Sequence, residues 1–499
     1  MKIQKESDEK INSSKQILKS TSIVGGSQLI QILLGIIRVK FVAVILGASG
    51  VGLLGLYQSI IDMVRNSTSF GINFSGVKDI AEANQSKDFK SISKSILILR
   101  RWALGTGLLG LIVSIVFCVP ISKYTFNNSG YAINIALLSA SILFLSISQG
   151  QSALLQGMQH ITSMAKAGVI GAFTGSIISI PLYYLLGNDG IVPSLLLISI
   201  CTLIITWLFT RNIKVEKLPL SLKDSFNGGL KMAKFGAFIV ANSLVTTLIM
   251  YFLKSYIAKK TGFTGVGLYQ AVWTITNTYL GILLNSMLAD YFPRLSANSG
   301  NNNEINRLAN EQYEITLLLG GPLMIFLLSF SPMVISVLYS STFLDAVPLL
   351  QWHVIGSFMV LISWPAGVIF LGAGKGEYSF ACEMITLFFY VICIVIGWNS
   401  YGILSLGVAY CVKALLSITV ILILAKKLTG FKMTIGIKKI VGLFSILVTL
   451  CVINIVYNEG VLEYVFGSII FLAALGYTYN RLRKIIDLKK IFLRFVGNK

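Results

Sequence analysis

The sequence predicts an all-α polytopic membrane protein of about 14 transmembrane helices, built as two parallel-repeat six-helix bundles plus a C-terminal helical hairpin. Composition is the first observation. Of 499 residues, 55% are hydrophobic and 12% charged, with mean hydropathy +0.78. Soluble domains carry about 25% charged residues, and a chain this apolar could not cover a water-facing surface. The second observation is an internal repeat. Gly55-Leu56-Tyr57-Gln58 recurs as Gly267-Leu268-Tyr269-Gln270, 212 positions later, and Gly190-Ile191 recurs as Gly402-Ile403 at the same offset. The third is the placement of Lys and Arg at the ends of the apolar runs.

A crossing helix needs about 20 apolar residues. Fourteen runs qualify, at about 20–47, 51–75, 96–120, 132–155, 165–187, 190–210, 232–257, 265–292, 313–340, 347–373, 379–399, 402–425, 438–457 and 461–480. Short Gly/Asn turns such as Gly187-Asn188-Asp189-Gly190 and Asn399-Ser400-Tyr401-Gly402 join several of them into antiparallel hairpins. The first 16 residues are polar, and the apolar run after them is too long for a signal peptide and lacks a cleavage site. The predicted organisation is a cytoplasmic segment 1–19, a first bundle 20–210, a linker 211–231, a second bundle 232–425, a linker 426–437, an extra hairpin 438–480 and a tail 481–499. Six spans is an even number, so the two bundles share one orientation and are related by an axis along the membrane normal.

Orientation follows from basic residues. Thirty-three of the 41 Lys and Arg fall on the side of the N-terminus and four on the other side, with Lys254 assigned to a span end. Both termini are therefore expected in the cytoplasm. This placement accounts for most of the net charge of +21 without a nucleic-acid partner. The tail alternates basic and apolar residues and reads as an amphipathic segment lying on anionic membrane lipids.

The remaining four cations, Arg38, Lys40, Arg65 and Lys413, lie within spans. An intramembrane charge is expensive unless it faces protein or water. Lys40 is near the outer end of its span, where snorkelling competes with a cavity-facing role; Arg38 is deeper. Asp62 and Arg65, at i and i+3, can pair on one helix face, either as a structural ion pair or with Arg65 on an anion and Asp62 positioning it or exchanging protons. Lys413 sits mid-span, and Glu383 is its partner only if the two helices stack suitably; otherwise Glu383 is a headgroup-level residue. Polar stripes at helical spacing accompany these charges: Gln58, Asp62, Arg65, Ser69 and Asn73 in one copy, Gln270, Thr274, Asn277, Gly281 and Asn285 in the other. In this alignment Asp62 and Arg65 stand opposite Thr274 and Asn277. A cation-rich interior suits an anionic substrate, and guanidinium suits phosphate oxygens.

Other chemistry finds little support. The six cysteines lie in apolar runs without metal-ligand spacing, and two histidines alone make no metal site. No Gly-rich segment ends in Gly-Lys-Ser/Thr, and there is no nucleophile–base set. No catalytic residue, metal or cofactor is expected, and energy must come from an ion gradient, the membrane potential or product removal. Span 4 serines and glutamines and the span 10 residues Trp352, His353, Ser357 and Trp364 suit either a sugar surface or interhelical packing and interface anchoring.

Three segments resemble the Wzx-type polysaccharide repeat-unit flippases of the multidrug/oligosaccharidyl-lipid/polysaccharide (MOP) exporter superfamily. They are Val39 to Gly52, Phe70 to Lys78, and Leu268-Tyr269-Gln270 through Tyr291-Phe292-Pro293-Arg294-Leu295-Ser296. The resemblance covers roughly spans 1 to 12 and implies a MATE/MOP-like fold in the bacterial inner membrane. It implies cargo of an undecaprenyl-diphosphate-linked oligosaccharide, an O-antigen or related unit, moved to the periplasmic leaflet by alternating access. A polysaccharide polymerase and chain-length proteins are the partners it implies. On this reading Arg38, Lys40, Arg65 and Lys413 take the diphosphate, Asp62 positions or couples, and Gln58, Gln270, Thr274, Asn277 and Asn285 line the glycan path. The hairpin 438–480 departs from the twelve-span pattern and is similar to that of fourteen-span lipid II flippases, so a peptidoglycan precursor stays open as cargo. An ion-coupled multidrug exporter would need a mainly acidic or apolar cavity. A membrane enzyme would need larger external loops, and a scaffold has no use for midplane charges.

Overall fold

The computed structural model describes residues 2–86, 88–216 and 218–485. Sixteen α-helices and no strand occur among them. The first seven are α1 (Lys2–Ser69), α2 (Ile72–Ser86), α3 (Phe89–Val116), α4 (Cys118–Phe126), α5 (Ala132–Gly157), α6 (Ile161–Leu186) and α7 (Ile191–Thr210). Then come α8 (Leu222–Trp273), α9 (Leu280–Ala297), α10 (Asn302–Ser329), α11 (Ser331–Leu338) and α12 (Val347–Gly372). The last four are α13 (Gly376–Tyr401), α14 (Ser405–Thr429), α15 (Ile435–Tyr457) and α16 (Val461–Ile485). The predicted amphipathic tail lies, from residue 486 on, outside the described residues.

Among the described residues, nine continuous helical stretches are long and apolar enough to cross a membrane. Three of them, Gly26–Ser69, Ile161–Thr210 and Gly376–Thr429, run to 44, 50 and 54 residues. At about 1.5 Å per residue each is long enough for two crossings of a roughly 30 Å hydrocarbon core. The hairpin turns are so tight that helix continues through them. The predicted runs 232–257 and 265–292 fall on α8, a π-helical segment (Thr274–Tyr279) and α9.

The chain forms two compact units, Met1–Gly267 and Leu268–Lys499. In the first, α5 packs against α2, α3 and α7, and α1 against α6. Its core includes Ile72, Ile80, Ile96, Leu99 and Leu154, all almost fully buried. In the second, α12 packs on α10 and α14. The extra hairpin, α15 and α16, docks on α10. Small residues permit the approach: a Cβ on Gly321 would meet the Phe444 ring at 2.7 Å, and one on Gly467 would meet Ser329 at 2.9 Å. Two asparagines one helical turn apart pin the linker before α15. Asn306 accepts from the Lys432 amide at 2.9 Å, and Asn310 accepts from the Thr434 amide at 2.9 Å.

Backbone geometry corrects the register of the repeat. Gly47 (φ 64°, ψ −170°) kinks α1, and Gly262 (φ 70°, ψ −169°) kinks α8 in the same way. Gly187 (φ 55°, ψ −132°) ends α6, and Gly402 (φ 53°, ψ −131°) ends α13 in the same way. Both pairs are 215 positions apart. A third pair, Gln159 (φ 58°) and Gly374 (φ 70°), has that spacing too. These left-handed φ values are costly for residues with a Cβ, so they mark points where the turn dictates the backbone. The structural offset is 215, not 212. The shared tetrapeptide is out of register by three residues, about 300° around a helix, and Gly402 answers to Gly187 rather than Gly190.

Candidate functional site

In the unit Met1–Gly267 the site is built on α1 after its kink. Gln58, Asp62 and Arg65 follow at steps of four and three, which keeps one helix face. Arg65 Nη2 donates to Asp62 Oδ1 at 3.1 Å, and Gln58 Nε2 donates to the same oxygen at 3.3 Å. The pair is 23% and 34% exposed at Arg65 and Asp62, so it is neither dry nor fully solvated. Arg65 Nε is buried without a hydrogen-bond partner. A buried donor left unpaired is uncommon, and here it belongs to a cation.

A second cation enters from α8. Lys254 Nζ donates to Ser59 Oγ at 2.9 Å and lies 3.5 Å from the Gly55 carbonyl; Ser59 Oγ donates to that carbonyl at 2.7 Å. Ser59 is next to Gln58, so two cations and one carboxylate share this stretch of α1. The span-end assignment of Lys254 gave no sign of this contact; Lys254 stands eight residues before the Gly262 kink of α8. At an offset of 215 Lys254 answers to Val39, between Arg38 and Lys40. The correct register is the signal that would have found it, because it puts all three at one depth below their kinks.

Arg38 and Lys40 are both half-buried on α1. A Cβ on Gly175 of α6 would stand 3.6 Å from Arg38 Nη1, so this guanidinium lies against α6. The structure therefore joins Gln58, Asp62 and Arg65, adds Lys254, and directs Arg38 to a different neighbour.

In the unit Leu268–Lys499, Lys413 Nζ donates to Glu383 Oε1 at 3.0 Å; α13 and α14 do stack so that the two meet. Lys413 is the more buried, at 18% exposure against 38%. Glu383 opens onto a cavity of about 280 Å³ lined also by Ser363, Trp364, Ser379 and Ser417. The other predicted residues lie on the last turn of α8, the π segment and α9. Gln270 Nε2 lies 3.4 Å from Thr274 Oγ1, and Gln270 Oε1 is buried without a partner. Asn277 Oδ1 accepts from Tyr410 Oη at 3.1 Å. Asn285 is exposed on α9. The π segment sets the direction of Thr274 and Asn277; such bulges recur at functional positions, and nothing in the periodicity announced it. In the 215 register Asp62 answers to Asn277 and Gln58 to Trp273, so the carboxylate of one copy is an amide in the other. His353 is fully buried, stacks on Tyr410 at 4.5 Å and 10°, and has neither ring nitrogen hydrogen-bonded. Among the described residues there is no cluster of His, Cys, Asp and Glu that would hold a metal.

Known proteins are similar to this chain in sequence or in fold. The chain is similar to the Lipid III flippase of Escherichia coli (strain K12) and that of Shigella flexneri, each 25% identical over 284 residues, 56% of this chain and 67% of the relative. In fold it resembles the Lipid II flippase MurJ in an inward closed conformation, with TM-score 0.67, 15% identity, and coverage of 93% of this chain and 99% of that one. It also resembles an inward-facing MATE family transporter of the MOP superfamily, with TM-score 0.64, 17% identity, and coverage of 80% and 96%. Residues 41–348 match the sequence profile of the family described as Polysaccharide biosynthesis protein, and with more than half its length matched, the chain belongs to that family.

Proposed function

We infer that the protein is a flippase that carries a lipid-linked glycan across the bacterial cytoplasmic membrane by alternating access. The observation that carries this reading is the charge balance around Asp62. Two cations, Arg65 and Lys254, attend one carboxylate, and a buried Arg65 donor has no protein partner. An unpaired guanidinium donor on a spanning helix suits the oxygens of a diphosphate. The relatives named for lipid III support the substrate class.

The finer reading is an undecaprenyl-diphosphate-linked repeat unit of a surface glycan such as O-antigen. Arg38, Lys40, Arg65 and Lys413 take the diphosphate, joined by Lys254. Asp62 positions Arg65 or couples transport. Gln58, Gln270, Thr274, Asn277 and Asn285 line the glycan path through two bundles over 20–210 and 232–425. Both termini lie in the cytoplasm, and a polysaccharide polymerase and chain-length proteins act on the released unit. A second reading, a lipid II flippase, draws support from the extent of the likeness to MurJ. Depletion of the protein, followed by mass spectrometry of the lipid extract, tests both. A surface-glycan unit on polyprenyl diphosphate accumulates under the first reading and a peptidoglycan precursor under the second; no accumulated lipid-linked sugar would defeat both.

A further inference from the structure

The same unit contains a cavity that the diphosphate site does not use. It has a volume of about 540 Å³ and lies at the end of Met1–Gly267 formed by the turn after Gly47, the 3₁₀ turn Ser129–Tyr131 and the 3₁₀ turn Gly187–Gly190. The asymmetry of basic residues assigns this end to the outside. Its lining combines two kinds of group. Tyr131 and Phe263 present rings at 90° to each other, 6.0 Å apart, and Phe126 backs Tyr131 in a 4.4 Å stack. Beside them are Asn134, Asn188 and Asp189. Asn134 is oriented by donating to Tyr57 Oη at 2.8 Å. Asn188 and Asp189 are exposed, and Tyr131 and Phe263 half-buried.

We propose that this cavity is a saccharide-binding vestibule, which receives sugar residues of the glycan as they reach the outer face. The inference rests on the flippase reading for its purpose and on the cavity alone for its chemistry. A pyranose has an apolar C–H face and a rim of hydroxyls. Aromatic rings cover the first at small entropic cost, because each has only two side-chain torsions to fix. Asn amides both donate and accept, and a carboxylate accepts from two neighbouring hydroxyls. A cavity of this size lies within the roughly 300–1,000 Å³ typical of small-ligand sites and takes one or two sugar rings. Diphosphate does not fit the same lining, since the one charged group in it is the Asp189 carboxylate. The diphosphate and sugar sites of this unit are therefore separate in chemistry: cations at Arg65 and Lys254, rings and amides here.

The test uses the full-length protein in lipid nanodiscs. The probe is the free oligosaccharide released by mild acid from the lipid-linked pool of the source cells, which carries neither lipid nor diphosphate. Saturation-transfer NMR reads contact between protein and sugar protons. Wild type is expected to transfer saturation to ring protons, with at least a five-fold loss in Tyr131→Ala and in Asp189→Asn at unchanged thermal midpoint. Arg65→Ala is expected to keep the transfer while exporting less glycan in cells. No transfer to wild type, or transfer unchanged in both vestibule variants, overturns the proposal. If the vestibule variants lose transfer but Arg65→Ala cells export normally, the vestibule stands and the flippase site assignment falls.

Discussion

Gly52 and Gly267 are locked in reciprocal backbone contact. A Cβ on Gly52 would lie 1.9 Å from the Phe263 carbonyl oxygen and 2.8 Å from the Gly267 nitrogen. A Cβ on Gly267 would lie 1.9 Å from the Ala48 carbonyl oxygen and 3.1 Å from the Gly52 nitrogen. Ala48 and Phe263, like Gly52 and Gly267, are 215 positions apart. The contact thus joins each copy of the repeat to the other through equivalent atoms, and it tolerates no side chain.

Alanine at either glycine must push backbone apart. Overpacking of this kind costs about 1–3 kcal/mol, against a helix-propensity gain of roughly 0.5–1 kcal/mol for Gly to Ala. Gly52→Ala and Gly267→Ala are expected to lower the thermal midpoint of the purified protein. Gly105→Ala on α3, where nothing lies within 4 Å of the added Cβ, should hold or raise it. Equal midpoints in all three would mean the seam is loose.

Asp62 sits between Gln58 and Arg65 with Lys254 close by on Ser59. Removing the carboxylate leaves two cations without it. Breaking a fully buried pair costs about 3–5 kcal/mol; here both partners are partly exposed, so a cost of about 1 kcal/mol is the better expectation. Asp62→Ala should lower the thermal midpoint, and Asp62→Ala with Arg65→Leu should recover most of the loss. A double variant no more stable than the single one would show that the ion pair does not carry the effect.

The repeat was legible in the sequence, but its register was not. Four identical residues at 55–58 and 267–270 suggest an offset of 212, while the kinks at Gly47 and Gly262 set 215. The chain turns at a glycine because only there is a positive φ cheap, and many glycines near a turn compete for that role. A three-residue slip looks small on paper, yet it changes Asp62's counterpart from Thr274 to Asn277. Span count and helical class survived the slip because hydropathy is blind to register. The contact of Lys254 with Ser59 was not legible for a related reason. Hydropathy finds the ends of a run only to within a turn or so, and the direction of a lysine depends on helix rotation. The π segment at Thr274–Tyr279 carried no signal in residue type.

Lys413 and Glu383 form an ion pair between α14 and α13, and Glu383 reaches its cavity. Lys413→Ala leaves a partly exposed carboxylate in a span, and Glu383→Ala leaves a more buried ammonium. The second should be the more destabilising, because a buried charge without a partner is the larger cost. Exchanging the two residues, Lys413→Glu with Glu383→Lys, should restore the thermal midpoint but not export, since the cation then stands on α13. Full export in the exchanged variant would reduce the pair to a structural role.

Lys254 separates a structural tether from an anion contact. Lys254→Met preserves the stem and removes the charge. Glycan export is expected to fall about ten-fold with expression and thermal midpoint near wild type, and Lys254→Arg should restore part of it. A large drop in midpoint with export in proportion would assign Lys254 to holding α8 against Ser59.

The most direct test is export of the lipid-linked glycan in cells depleted of the native protein and supplied with wild type, Arg65→Ala, Lys413→Ala or the double variant at equal membrane abundance. Wild type should restore surface glycan, each single variant should reduce it, and the double variant should leave the lipid-linked intermediate in the cytoplasmic leaflet. Normal surface glycan in the double variant would contradict a cationic path for the diphosphate.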